Sequence, residues 1–276
     1  MIAANVLAAQ RQATDGCRRL YPPGKMARMQ RVVNGSQYRP LGHGFQHNVF
    51  QEVDGAHVVK VTRSIDEELA AFRTSSTPFA EAEMKKIEAS IGKISAQAIA
   101  SYVPVKERSG KSVWAFDLVT GVTFPSADKV IESPIAVVQD HFRGLNLKSV
   151  VESASAGETR SLLDKYLGSL YNLSRYGIFN RDWSNFEDAI IPRSQPNAPL
   201  IVFLDPFFSL TTRADVDNLA SEFEAFLSVT FTRIGREGVS YLPIFKEVVR
   251  DFMGRFDFFR NFGADIDKAQ RVPDIL

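Results

Sequence analysis

The sequence predicts an α+β protein with two lobes, a small sheet-containing N-terminal lobe and a helical C-terminal lobe. Three observations point there. Residues 41–60 read as strands interrupted by glycines and closed by an Asp54-Gly55 turn. From Glu158 to Tyr176 the apolar residues Leu162, Leu163, Tyr166, Leu167, Leu170, Tyr171 and Leu173 keep a helical period. Residues 178–208 then alternate polar loops with short apolar runs, the last ending in Asp205. A chain of 276 residues is long enough for two such lobes around a cleft.

Residues 1–37 read as a leader. It holds a helix, then the breaker Tyr21-Pro22-Pro23-Gly24, then a basic stretch with Lys25, Arg28 and Arg31. In the hairpin, Asp54-Gly55 is a type I′ signal. A short helix is expected over 64–75, where Ile65, Leu69 and Phe72 share a face. After a break at Ser75-Ser76-Thr77-Pro78, a second helix over 79–92 carries Met84, Ile87 and Ile91 on one side. Strands are expected over 98–106 and 112–119, joined at Ser109-Gly110. Thr120-Gly121 then reads as a hinge, so the N-terminal lobe spans 38–121 and the C-terminal lobe 122–276. Residues 122–157 hold some helix and a Ser/Ala/Gly linker near 153–157. Gly177 closes the long helix as a C-cap would. Residues 215–262 are amphipathic and helical, and Phe252, Phe256, Phe258, Phe259 and Phe262 there read as core.

Composition narrows the function classes. The formal net charge of +1 gives no support to a nucleic-acid binder driven by bulk charge. No apolar run approaches the ~18 residues of a membrane span. The single cysteine, Cys17, excludes an internal disulfide and suits a reducing, cytoplasmic compartment. The four histidines, at 43, 47, 57 and 141, form no zinc-type cluster. His43 and His47 read as loop residues.

The chemistry lies in three places. Gly42 and Gly44, without Cβ atoms, let backbone lie close over phosphates, and Lys60 ends an apolar run from which it can reach them. The bland reading of that segment is an ordinary hairpin with an edge lysine facing water. Asn180-Arg181-Asp182-Trp183-Ser184-Asn185 places an Asp and a downstream Asn between a helix and a strand. Taken alone, Asp182 reads as half of a surface ion pair with Arg181. Leu204-Asp205-Pro206-Phe207 places an Asp at the end of the next strand, where the bland reading is a turn.

In this order the segments resemble the protein-kinase-like superfamily, across roughly residues 38–215. Gly42, Gly44 and Val49 follow the glycine-loop pattern, with His47 at its third glycine. Asn180-Arg181-Asp182 stands where H-R-D stands, Asn185 for the metal-binding Asn, and Asp205-Pro206-Phe207 for D-F-G. The resemblance implies a bilobal kinase-like fold and ATP- and Mg2+-dependent phosphoryl transfer to a Ser/Thr hydroxyl of a protein substrate. Gly42, Gly44 and Val49 would cover the nucleotide, and Lys60 would pair with its phosphates. Glu83 would hold Lys60, with Glu81, Glu68 and Glu88 as alternatives. Asp182 would orient the acceptor hydroxyl, while Asp205 and Asn185 would hold Mg2+.

The pattern also departs from the family. Two residues separate Asp182 from Asn185 where four are usual, and Pro206 replaces the middle of D-F-G. Nine residues lie between Asp205 and Asp215, so the activation segment is reduced and no A-P-E signature follows. A looser similarity to the small serine/threonine kinases of bacteriophages and bacterial effectors would put the chain in a host cytoplasm. Two other readings stay open: a small-molecule kinase of the aminoglycoside or choline type, and a pseudokinase acting as a protein-binding module.

Overall fold

The computed structural model describes residues 2–43, 47–55, 57–64, 67, 70, 102–103, 106, 116–127, 129–141, 144–174, 178–180, 186, 189–192, 202–203, 208–210 and 239–255. The chain divides into two compact units, Met1–His141 and Phe142–Leu276. Both helices and strands are present, so the α+β class holds.

The first unit opens with helix α1 (Ile2–Leu20). Ala13, Cys17 and Tyr21 recur one turn apart and are buried, while Arg18 and Arg19 sit in the last turn, where cations complement the helix dipole. Burial pushes the Cys17 thiol up to about 12, against a smaller lowering by a backbone hydrogen bond, so it stays protonated. Pro22 and Pro23 end one helix and start the next: α2 (Pro23–Gly35) carries proline in its first turn, where no N–H is missed.

The basic stretch expected after the breaker is therefore helix, and it belongs to the fold instead of to a separate leader. Met26, Met29 and Val33, spaced at three and four, pack against the sheet core of Tyr38, Phe50, Val59, Val61, Val119, Val122, Phe124 and Ala136. The arginines between them take the outer face.

Five strands follow: β1 (Tyr38–His43), β2 (His47–Glu52), β3 (His57–Thr62), β4 (Phe116–Ser126) and β5 (Lys129–Asp140). They pair antiparallel in the order β1-β2-β3-β5-β4, and a single parallel pair, Tyr38 with Ser126, closes the sheet into a barrel. Closure removes the open edge that an isolated sheet would expose.

Three expectations change here. The β2–β3 connection is not type I′. Gly55 N–H donates to Glu52 O at 2.9 Å, so the turn centres on Val53 and Asp54 and Gly55 follows at φ 82. The strand expected over 98–106 is not formed, because Tyr102, Val103 and Lys106 are helical. A short apolar run fits either period, and burial of Tyr102 and Val103 decided it.

The hinge at Thr120-Gly121 lies inside β4, and the unit boundary falls after His141. Gly121 marks a local kink: its φ is 61, and a Cβ there would come within 3.3 Å of Gln30 Nε2, which donates to Thr120 O. The β4–β5 hairpin turns at Ala127, with φ 52.

The second unit begins with β6 (Gly144–Asn146) and α3 (Leu147–Ser153), capped where Asn146 Oδ1 accepts from Ser149 N–H at 2.8 Å. Helix α4 (Ala156–Ser174) starts with a capping box. Ser155 N–H donates to Glu158 Oε2 at 3.0 Å, and Glu158 N–H to Ser155 Oγ at 3.4 Å. Residues 153–157 are thus a helix-to-helix junction, and the long helix appears as its period required.

Short strands β7 (Ile178–Asn180), β8 (Ala189–Pro192), β9 (Val202–Phe203) and β10 (Phe208–Leu210) come next, then α5 (Leu242–Arg255). The order β6-β8-β9 forms one small sheet and β10-β7 another, so this unit is not purely helical. Tyr166, Phe186, Tyr241 and Phe245 form its aromatic core, with ring centroids of Tyr166, Tyr241 and Phe245 at 5.2, 5.6 and 5.1 Å from Phe186. Arg160 bridges α4 to α5 through Asp251 at 3.0 Å and through Glu247. The helices expected over 64–75 and 79–92, the Gly177 cap and Phe256, Phe258, Phe259 and Phe262 lie wholly or mostly outside the described residues.

Candidate functional site

Cross-strand register brings three of the expected residues into one row. Gly42 on β1 stands opposite Val49 on β2, and Val49 opposite Lys60 on β3. The row continues through Val137 on β5 to Leu118 on β4. Directly opposed residues share a face of the sheet. Val59 and Val61, flanking Lys60, belong to the core cluster, so period-two alternation puts Lys60 on the other face.

Lys60 is only 4 % exposed, on a strand flanked by β2 and β5. The edge lysine facing water is excluded. An ammonium held this far from solvent is costly unless anionic or polar groups meet it, and lysines are rarely buried without such a reason.

Gly42 is the opposite case. The register slips between Pro40 and Gly42, leaving Leu41 half exposed as a bulge. A Cβ at Gly42 would meet nothing within 4 Å, so backbone there is open to approach from outside. An open glycine backbone and a buried cation thus lie in one row. Val49, between them, is half-buried.

Around this row the same face is polar and closed. His47, expected as a loop residue, starts β2 and is 1 % exposed, with its ring edge-on to Tyr102 at 6.2 Å. Tyr102 also meets Phe116 edge-on at 5.2 Å. Gln51 Nε2 lies 3.0 Å from His141 Nδ1, which also lies 3.2 Å from Gly55 O. These contacts tie the β2–β3 hairpin to the end of β5.

Sequence reasoning missed Glu67. Its carboxylate accepts from Asn48 Nδ2 and from Ser64 N–H, both at 2.9 Å, while Ser64 Oγ accepts from Glu67 N–H at 3.2 Å. Burial works against ionisation, but the bonds from Ser64 and Asn48 outweigh it and hold this carboxyl below the usual glutamate range. Ser64-x-x-Glu67 is a capping-box signature, and that spacing could have revealed it. Glu67 thereby ties the segment after β3 to β2 at Asn48, one residue beyond His47.

The remaining expected residues, Gly44, Glu83, Asp182, Asn185 and Asp205, lie outside the described residues, as do Glu68, Glu81 and Glu88. Their flanks are described. In the second unit β7 pairs antiparallel with β10, Asn180 opposite Phe208, and β8 with β9, Ala189 opposite Phe203. Asp182 follows Asn180 by two residues, and Asp205 precedes Phe208 by three, so both segments leave the same strand pairing. Among the described residues no group of three or more His, Cys, Asp or Glu could hold a metal ion. No described helix is long and apolar enough to cross a membrane.

No family model and no curated protein matches the chain. Among solved structures, the complex of Rv3197 with erythromycin from Mycobacterium tuberculosis is similar at a TM-score of 0.32 and 13 % identity, over 83 % of this chain and 68 % of that one. A similarity this distant carries no weight for fold or function.

Proposed function

We propose that the chain is a divergent kinase-like phosphotransferase that uses ATP and Mg2+, with a protein Ser/Thr hydroxyl as acceptor. The observation that carries this reading is the row Gly42–Val49–Lys60. Three residues chosen from sequence for one ligand lie side by side on three adjacent strands, and the lysine is buried.

Gly42, with Gly44 and Val49, would cover the nucleotide, and Lys60 would pair with its phosphates. Glu83 is the expected partner of Lys60. In the second unit, the β7–β10 and β8–β9 pairings support the reading, because both the Asp182 and the Asp205 segments connect those strands. Asp205, with Asn185, would hold Mg2+ through oxygen donors. Bound ATP-Mg2+ supplies the transferable phosphoryl group. Asp182 would accept the acceptor hydroxyl's hydrogen bond and orient it.

A small-molecule acceptor is the second reading. Only residues 204–207 separate β9 from β10, and β10 pairs straight back onto β7, so little chain follows Asp205 before the next strand. A long peptide platform has little room there.

Labelled ATP with the full chain, with and without a generic basic protein, tests the proposal. Wild type should label itself or the protein at Ser/Thr, with Ser209, Thr211 and Thr212 as candidate self-labelling positions. Asp182→Asn should retain ATP-Mg2+ binding and lose transfer by orders of magnitude. Transfer only to a small alcohol or aminoglycoside moves the assignment to the second reading. ATP binding without transfer to any acceptor leaves a pseudokinase.

A further inference from the structure

The face that carries Gly42, Val49 and Lys60 is braced by α1 through one intermediate. On α1, a Cβ at Gly16 would lie 2.3 Å from Val103 Cγ1 and 3.2 Å from its Cβ and Cγ2. Helix backbone therefore rests directly on Val103, whose branched side chain has little freedom to swing aside. The neighbouring Tyr102 presses its ring against His47, the first strand residue after the glycine loop.

Both bodies are also pinned at one place on β4. Tyr21, just past α1, donates its hydroxyl to Asp117 Oδ1 at 2.9 Å and accepts Leu118 N–H at 3.3 Å. Lys106 Nζ lies 3.5 Å from the same Asp117 oxygen and donates to Phe116 O. Leu118 is the far end of the row that holds Lys60. Close-packed interiors pass displacement on instead of absorbing it.

We infer that α1 is a positioning element for the glycine-loop hairpin, acting through Val103 and Tyr102 on His47. Its consequence for nucleotide affinity rests on the function proposed above; the mechanical link does not. A methyl placed at Gly16 has no room, so Val103 and Tyr102 must shift toward the sheet. Loss of the Tyr102 ring removes its edge-on contact with His47 and leaves Gly16 unchanged.

The test uses the full chain as wild type, Gly16→Ala, Gly16→Ala/Val103→Ala and Tyr102→Leu. Backbone amide exchange without nucleotide should quicken about tenfold at residues 47–50 in Gly16→Ala and Tyr102→Leu, and return toward wild type in the double variant. Residues 156–174 of α4, in the second unit, serve as the internal reference and should change less. Affinity for ATP-Mg2+ should fall about tenfold in the same two variants and recover with Val103→Ala. Equal acceleration at 47–50 and across α4, or unchanged exchange at 47–50, overturns the inference. Should Gly16→Ala fail to fold, Val103→Ala alone, which removes the side chain on which α1 rests, should quicken exchange at 47–50, and unchanged exchange there overturns the inference. If wild type binds no ATP-Mg2+, the proposed function falls, and amide exchange still decides the link.

Discussion

Val49 and Lys60 stand directly opposite each other on β2 and β3, which turns two residues eleven positions apart in sequence into one side-by-side pair. The pairing puts the buried cation on the same face as Gly42, so its removal tests the site directly.

Lys60→Met keeps an apolar stem of similar length and deletes the charge. Removing one side of a buried ionic contact, such as the one proposed between Lys60 and Glu83, leaves the other side uncompensated and destabilises. The expected outcome is a lower unfolding midpoint, with ATP-Mg2+ affinity reduced at least tenfold, about 1.4 kcal/mol, at temperatures where the variant is still folded. Calorimetric titration beside thermal unfolding measures both. Unchanged nucleotide binding would remove Lys60 from the site.

Tyr21→Phe deletes the hydroxyl that joins Asp117 to the Leu118 N–H, and Leu118 is fully buried. Burial, with the nearby Asp117 carboxylate, pushes the Tyr21 hydroxyl far above the usual tyrosine range, so it stays a donor. Its loss should cost about 1–3 kcal/mol in urea unfolding, the range for a buried polar group losing its partner. No change in midpoint would show that the α1–α2 corner is held by packing alone.

Acid should loosen the first unit through two carboxylates. Burial opposes ionisation of Glu52, yet bonds from Ser36 Oγ at 2.6 Å and His57 Nδ1 at 2.9 Å hold it below the usual range, and Glu67 is lowered likewise. A carboxyl depressed in the folded state stabilises above its unfolded pKa, about 4.3 for glutamate. That contribution disappears as pH falls through the folded value. Stability measured from pH 6 down to pH 3 should therefore drop more steeply in wild type than in Glu52→Gln/Glu67→Gln. Parallel profiles would assign the acid sensitivity elsewhere.

Ala127, at φ 52, is the only non-glycine residue at positive φ among the described residues. A Cβ in that region costs about 1–2 kcal/mol, and glycine avoids the clash while adding unfolded-state entropy. Ala127→Gly should raise stability by about 1 kcal/mol or slightly less, read from the shift in denaturant midpoint. A lowered midpoint would mean that Ala127 packs more than its turn suggests.

Local pattern determined much of this protein from sequence alone. The period of Leu162, Leu163, Tyr166 and Leu167 predicts α4, Pro22-Pro23 separates two segments, and Asp54-Gly55 marks the turn between β2 and β3. Those signals lie within a few residues of one another, where turn chemistry and side-chain period act. What lay beyond reach was non-local. The helical state of Tyr102, Val103 and Lys106, the passage of β4 through Gly121, the closure of Tyr38 on Ser126, and the bond from Tyr21 to Asp117 across 96 positions all depend on partners distant in the chain. Whether Lys60 faces water or interior was undecidable from its neighbours, since the same apolar run suits an edge strand or a central one. The pairing of β3 with β2 on one side and with β5 on the other decided that it is not an edge, because a strand's place in a sheet depends on its neighbours and not on the strand itself.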